Sequence, residues 1–217
     1  MDEPRRFDAF VFDLDGTLLD TLPDLVTTTN MTLEHFGYPT RTREEVLSFV
    51  GFGVKVLLTK ALPSGSSDAD IEAALAWWEQ LYPEYGHAQS KPYERIPEII
   101  AELRRRGKKT AILSNKFDGG VKDVTARFFP GLFDIALGEG PVPRKPDPTG
   151  LLRVIDELGC TPESTIYFGD SGSDMKVAHA AGAFAAGVTW GYQPREALVA
   201  EHAQALIDST GDILSFA

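Results

Sequence analysis

The sequence predicts an α/β protein, a Rossmann-like parallel sheet core with an inserted all-helical domain. Three observations point there. A short apolar strand at residues 7–12 ends in an acidic turn near the start of the chain. From about residue 90 onward, short apolar runs alternate with helical stretches. Between the two lies a long segment with helical periodicity and no strand pattern. The expected division is 1–17 with 90–217 as the core and 18–89 as the helical insert.

The elements follow in order. After the first strand, Asp13-Leu14-Asp15-Gly16-Thr17 reads as a turn. A helix is expected over 22–36, stopped by Gly37 and Pro39. Residues 43–62 read as one or two further helices, and Pro63-Ser64-Gly65-Ser66-Ser67 as a loop. Ser67 or Asp68 then caps a helix reaching about Tyr82, with Trp77, Trp78 and Tyr82 as its core side chains. Ile96, Ile99, Ile100 and Leu103 recur at helical spacing, and Gly107 closes that helix. Strands are expected at 109–113, 134–137, 165–168 and 183–188, the last completing the sheet. Between them, Asp147 is the expected cap of a helix with Pro148 in its first position and Leu151, Leu152, Ile155 and Leu158 on one face. His179, in an Ala-rich helix, reads as structural.

Composition narrows the functional classes. Of 217 residues, 43% are apolar, enough for a real core. The formal charge is 21 − 32 = −11, which repels nucleic-acid backbones and anionic lipid, so neither is an expected partner. An anionic substrate would need a local cation. A single cysteine, Cys160, allows no internal disulfide and fits a reducing cytoplasm. The charged N-terminus is unlike a signal peptide, and no apolar run approaches the ~20 residues that span a bilayer.

Polar groups collect where strands end, which is where open parallel sheets bind ligands. Asp13 and Asp15 are two apart, so on a strand both carboxyls would face one ligand. Two close carboxylates repel unless a metal or proton intervenes. An EF-hand is excluded, because position six from Asp13 is Leu18 and position twelve is Asp24. Asp170 and Asp174, in Gly169-Asp170-Ser171-Gly172-Ser173-Asp174, read either as helix-capping residues or as two ligands for a hard cation. Ser114-Asn115-Lys116 follows another strand, and Lys145 sits in Pro143-Arg144-Lys145-Pro146 before a helix. Each of these alone is ordinary loop chemistry.

The ordered set, strand-D-x-D-G-T, strand-S-N, K-P before a helix and strand-G-D-x-x-x-D, resembles the four motifs of the haloacid dehalogenase superfamily over nearly the whole chain. Within it, the stretch from Phe12 to Thr21, Gly51-Phe52-Gly53 and Ser114-Asn115-Lys116 look most like the phosphoglycolate phosphatases. The resemblance implies that the insert is a helical cap, with the active site between core and cap. It implies a Mg²⁺-dependent phosphatase acting on a small phosphorylated metabolite through an aspartyl-phosphate. It assigns catalysis to Asp13 (nucleophile), Asp15 (acid and base), Ser114 and Lys145. Thr17, Ser114, Asn115, Lys116 and Lys145 would bind phosphate or substrate. Asp13, Asp15 (through its main-chain carbonyl), Asp170 and Asp174 would serve the metal. A β-phosphoglucomutase-like phosphomutase, or a pyrophosphatase or nucleotidase of the same superfamily, is the alternative. Arg41, Arg43, Lys55 and Lys60 read as surface charge or as contacts to an anionic leaving group, and Arg144 as solvated.

Overall fold

The computed structural model describes residues 6–217. In chain order the elements are β1 (Ala9–Phe12), β2 (Leu19–Asp20), α1 (Leu22–His35), α2 (Arg43–Phe49), α3 (Gly53–Ala61), α4 (Asp68–Tyr85) and β3 (Lys91–Pro92). Then come α5 (Ile96–Arg105), β4 (Lys109–Phe117), α6 (Asp118–Phe128), β5 (Ile135–Glu139), α7 (Thr149–Glu157), β6 (Thr165–Gly169), α8 (Gly172–Ala181), β7 (Phe184–Val188), α9 (Arg195–Ala200) and β8 (Ala205–Ile207). Two compact units result, Met1–Leu19 with Pro92–Ala217, and Asp20–Lys91.

The first unit is built on a six-stranded sheet of order β5-β4-β1-β6-β7-β8, parallel throughout. Counted among these six strands the order is 3-2-1-4-5-6, the doubly wound arrangement, in which the order reverses beside the first strand. Strand alternation divides the core. Phe10 and Phe12 of β1, Ile112 of β4 and Ile166 and Phe168 of β6 pack with Ile96, Ile99, Ile100 and Leu103 of α5. Phe12 and Phe168 stack at 4.9 Å. Ala9, Val11, Ala111, Leu113 and Tyr167 point to the other face, against Leu151 and Val154 of α7 and Met175 and Val177 of α8. Each fully buried Phe or Leu is worth ~1.5–3 kcal/mol, so register is held firmly.

Several sequence expectations need correction. The last strand is β8, not the run ending at Val188; Ala205–Ile207 is too short to carry a periodic signal. α6 was not anticipated, because Gly119 and Gly120 lower its helix propensity. α7 begins at Thr149 with Pro148 as its N-cap residue, and Asp147 lies one place earlier, its carboxylate accepting from the Thr149 N–H at 2.9 Å. Leu152 is 42% exposed, and Val154 takes its place on the buried face. β4 runs past Leu113 to Phe117, with a register shift between those residues.

The helical unit has its own logic. Thr42 with Glu45 and Ser67 with Asp70 form capping boxes at the starts of α2 and α4. α4 continues to Tyr85. Trp78 is buried and its indole N–H donates to Thr28 Oγ1 at 3.0 Å. Trp77 is half-buried and stacks on His35 at 3.6 Å. The Asp24 carboxylate accepts from the Gln89 and Ser90 N–H groups and the Ser90 hydroxyl, tying the end of the unit to its first helix. Arg41 donates to the Ala61 carbonyl at 2.7 Å, Lys55 pairs with Glu72, and Lys60 lies 5.3 Å from the Phe52 ring centre. No helix among the described residues is long and apolar enough to cross a membrane.

Candidate active site

The motif residues of the sheet unit gather where the strand order reverses. Asp13 directly follows β1, and its N–H donates to the Phe168 carbonyl of β6 at 2.9 Å. Asp170 directly follows β6, and Asp174 lies in the first turn of α8. One oxygen from each of Asp13, Asp170 and Asp174 falls within 4.8 Å of the others, and all three residues are buried. Lys145 is buried among them, its Nζ 2.9 Å from Asp13 Oδ1 and 2.7 Å from Asp174 Oδ1.

Three carboxyl groups gathered around one ammonium are poorly placed to be ionised together, and burial compounds this. Burial, with Asp174 and Asp15 nearby, pushes Asp13 up from 3.8 to about 6 despite the opposing pull of Lys145. Burial and the carboxylates of Asp174 and Asp13 hold Asp170 well above the usual carboxylate range. Burial alone would lower Lys145, but Asp13 and Asp174 overcome it and hold the ammonium charged. An all-oxygen donor set with surplus negative charge suits a hard divalent cation. The residues present therefore fit Mg²⁺.

Each side chain is fixed by its neighbours. Asp170 Oδ1 accepts from Thr17 Oγ1 at 3.2 Å and Oδ2 from the Tyr192 N–H at 2.6 Å. Asp174 Oδ2 accepts from the Ser171 N–H and hydroxyl at 3.0 and 2.6 Å, a capping box that also closes the start of α8. Asn115 clamps the lysine loop: its Oδ1 accepts from the Lys145 N–H at 2.8 Å and its Nδ2 donates to the Lys145 carbonyl at 3.4 Å. Ser114 is buried, and its hydroxyl accepts from the Lys116 N–H at 3.3 Å. The Asp15 carboxylate lies outside the three-oxygen group and pairs with Lys116 at 3.4 Å. Close approach explains two glycines. Gly16 has φ +84° and a Cβ there would collide with the Asp170 carboxylate, while a Cβ on Gly169 would collide with Asp174.

A family model described as haloacid dehalogenase-like hydrolase matches residues 10–188, the stretch that carries Asp13, Asp15, Thr17, Ser114, Asn115, Lys116, Lys145, Asp170 and Asp174. The chain belongs to the haloacid dehalogenase-like hydrolase family, and within it to the phosphatases. A phosphoglycolate phosphatase of Pseudomonas putida KT2440 is 35% identical over 94% of this chain and 77% of its own length. One from Aliivibrio fischeri ES114 is 31% identical over 94% and 90%. A crystal structure described as a predicted phosphoglycolate phosphatase from Haemophilus somnus 129PT superposes with TM-score 0.90 at 27% identity, covering 96% of both chains.

In this haloacid dehalogenase-like hydrolase, sequence reasoning missed three contributors. Tyr167 reads as one more core residue of an apolar strand, yet its hydroxyl reaches Lys145. Ser171 reads as a spacer between two aspartates. Tyr192 follows β7, and the rule that sites form beyond strand ends would have drawn attention to that loop. Arg144, expected to be solvated, is half-buried and donates to both Glu139 oxygens at 2.7 and 2.9 Å.

Proposed function

We propose that this phosphatase hydrolyses small phosphate monoesters through a phosphoryl group carried on Asp13, and that 2-phosphoglycolate is the first substrate to test. The observation supporting this most directly is the buried Asp13 carboxylate, 2.9 Å from Lys145 and grouped with Asp170 and Asp174 where the sheet order reverses. Asp13, Asp170 and the Asp15 main-chain carbonyl would hold Mg²⁺, with Asp174 behind them. The bound ion would supply positive charge against the repulsion between carboxylate and phosphate.

The chain's own groups then divide the work. A carboxylate oxygen of Asp13 attacks phosphorus, the ester P–O bond breaks, and Asp15 gives its proton to the departing alkoxide. Asp15, now a base, takes a proton from water as that water attacks the same phosphorus. The bond between phosphorus and Asp13 breaks, releasing inorganic phosphate and restoring both carboxyls. Lys145 neutralises the transferring phosphoryl oxygens. Ser114 and backbone N–H groups hold those oxygens. Thr17, whose hydroxyl faces Asp170, would keep that carboxylate oriented. Lys116, beside Asp15, suits a leaving group carrying its own anion, as 2-phosphoglycolate does. A single Cys160 is consistent with work in a reducing cytoplasm.

The test is kcat/KM over 2-phosphoglycolate, sugar phosphates, nucleoside monophosphates, pyrophosphate and a phosphopeptide. A leading 2-phosphoglycolate supports the reading. A leading sugar phosphate or pyrophosphate keeps the mechanism and discards the substrate. Transfer of phosphate between positions of a sugar without release would make the protein a mutase.

A further inference from the structure

Lys145 carries three ammonium hydrogens, and three oxygens surround it. Two are hydrogen-bonded: Asp174 Oδ1 at 2.7 Å and the Tyr167 hydroxyl at 2.9 Å. The third, Asp13 Oδ1, is an ion pair at 2.9 Å without hydrogen-bond alignment, and Oδ1 accepts no hydrogen bond from any described residue. The two aligned partners are themselves locked. The Tyr167 hydroxyl donates to the Leu113 carbonyl at 2.8 Å and is fully buried in the apolar face shared with α7 and α8. Its single proton being spent on Leu113, it meets Lys145 as an acceptor. Asp174 is tied down by Ser171 through its other oxygen.

We infer that Tyr167 is a positioning residue for the phosphatase reaction: its hydroxyl, with Asp174, holds two of the Lys145 hydrogens so that the third is the one left for a phosphate oxygen. The inference rests on the reading of Lys145 as the cation that meets the phosphoryl group. With Asp174 alone, the ammonium would be free to rotate. It would then align on Asp13, the strongest remaining acceptor, neutralising the nucleophile and withdrawing charge from the incoming phosphate. The aromatic ring is needed only as filler. Tyr167→Phe keeps the volume and removes one oxygen, so packing on that face is preserved.

The experiment compares wild type, Tyr167→Phe and Lys145→Met in saturating Mg²⁺, with p-nitrophenyl phosphate as substrate and inorganic phosphate as competitive inhibitor. One misdirected hydrogen bond to a charged group corresponds to about a tenfold effect. Tyr167→Phe should therefore lower kcat/KM about tenfold and raise the Ki of phosphate by a similar factor, with the circular dichroism spectrum unchanged. A purely structural hydroxyl would lower the melting temperature and leave the Ki where it was. A Ki and kcat/KM within twofold of wild type would overturn the inference, as would failure of Tyr167→Phe to fold. Wild-type behaviour in Lys145→Met would remove the reading of the lysine itself, and the inference with it. A strong effect in Lys145→Met beside none in Tyr167→Phe would remove the inference alone.

Discussion

Replacing Asp13 should stabilise the metal-free protein. Asp13 is held at about 6 where an unfolded chain has 3.8. The difference costs the ionised fold about 3 kcal/mol. The sign follows from proton binding. At or below pH 3.8 both states carry the proton and the cost is absent. As pH rises from 3.8 toward 6, the unfolded chain releases its proton while the fold retains it, so stability falls; above 6 the loss is complete. Asp13→Asn has the same shape and no proton to release. In excess chelator at about pH 7.5 it should be about 3 kcal/mol more stable than wild type, roughly 6–12 °C in melting temperature for a chain of this size. At about pH 4 the two should melt together. Millimolar Mg²⁺ should close the gap by raising wild type, because the cation would bind the ionised carboxylate. Turnover should meanwhile fall by several orders of magnitude. Scanning fluorimetry across pH, with chelator and with Mg²⁺, reads all of this. An Asp13→Asn protein less stable than wild type at neutral pH, or a gain independent of pH, would refute the electrostatic account.

Three other outcomes follow from the same geometry. Lys145→Ala should lower kcat/KM by about 10²–10³, whereas Arg144→Ala should leave steady-state kinetics within a few-fold and cost at most about 1 kcal/mol, because its guanidinium pairs with the partly exposed Glu139 and with none of the three grouped carboxylates. Gly169→Ala should lose both activity and roughly 1–3 kcal/mol of stability, since the new methyl collides with Asp174; a melting curve superposing on wild type would contradict the contact. Chelator should abolish turnover, Mg²⁺ restore it, and Ca²⁺ inhibit, because calcium accepts more ligands at longer distances and loosens in-line geometry; full turnover in chelator would remove the metal.

What the sequence made legible was whatever depends on strand ends. Asp13 and Asp170 each terminate an apolar run, so their placement beyond parallel strands follows once the alternation of elements is read. Asp174, four residues on, required only that a helix begin between, and α8 begins at Gly172. What stayed hidden depends on contacts between distant segments. The Asn115 clamp on Lys145 joins residues 30 apart. Tyr167 has the apolar surroundings of a core residue, and nothing local separates a hydroxyl that carries an interaction from one that fills space. Asp15 shows the same limit from the other side. Spacing of two predicts a shared face with Asp13 only while the strand continues, and β1 has ended at Phe12. Gly16 then turns the chain with φ +84° and the Asp15 carboxylate goes to Lys116.

The arrangement also separates two kinds of aspartate that sequence treats alike. Both oxygens of Asp174 are spent, on Lys145 at one and on Ser171 at the other. Asp13 has no aligned hydrogen bond at Oδ1. A carboxylate satisfied at both oxygens is a support; one left under-satisfied beside an ammonium carries the free-energy cost that burial imposes. That cost is the same quantity that the Asp13→Asn measurement would recover as stability. If the melts show it, the cost of ionising Asp13 has a single structural origin, three buried carboxylates grouped around the Lys145 ammonium.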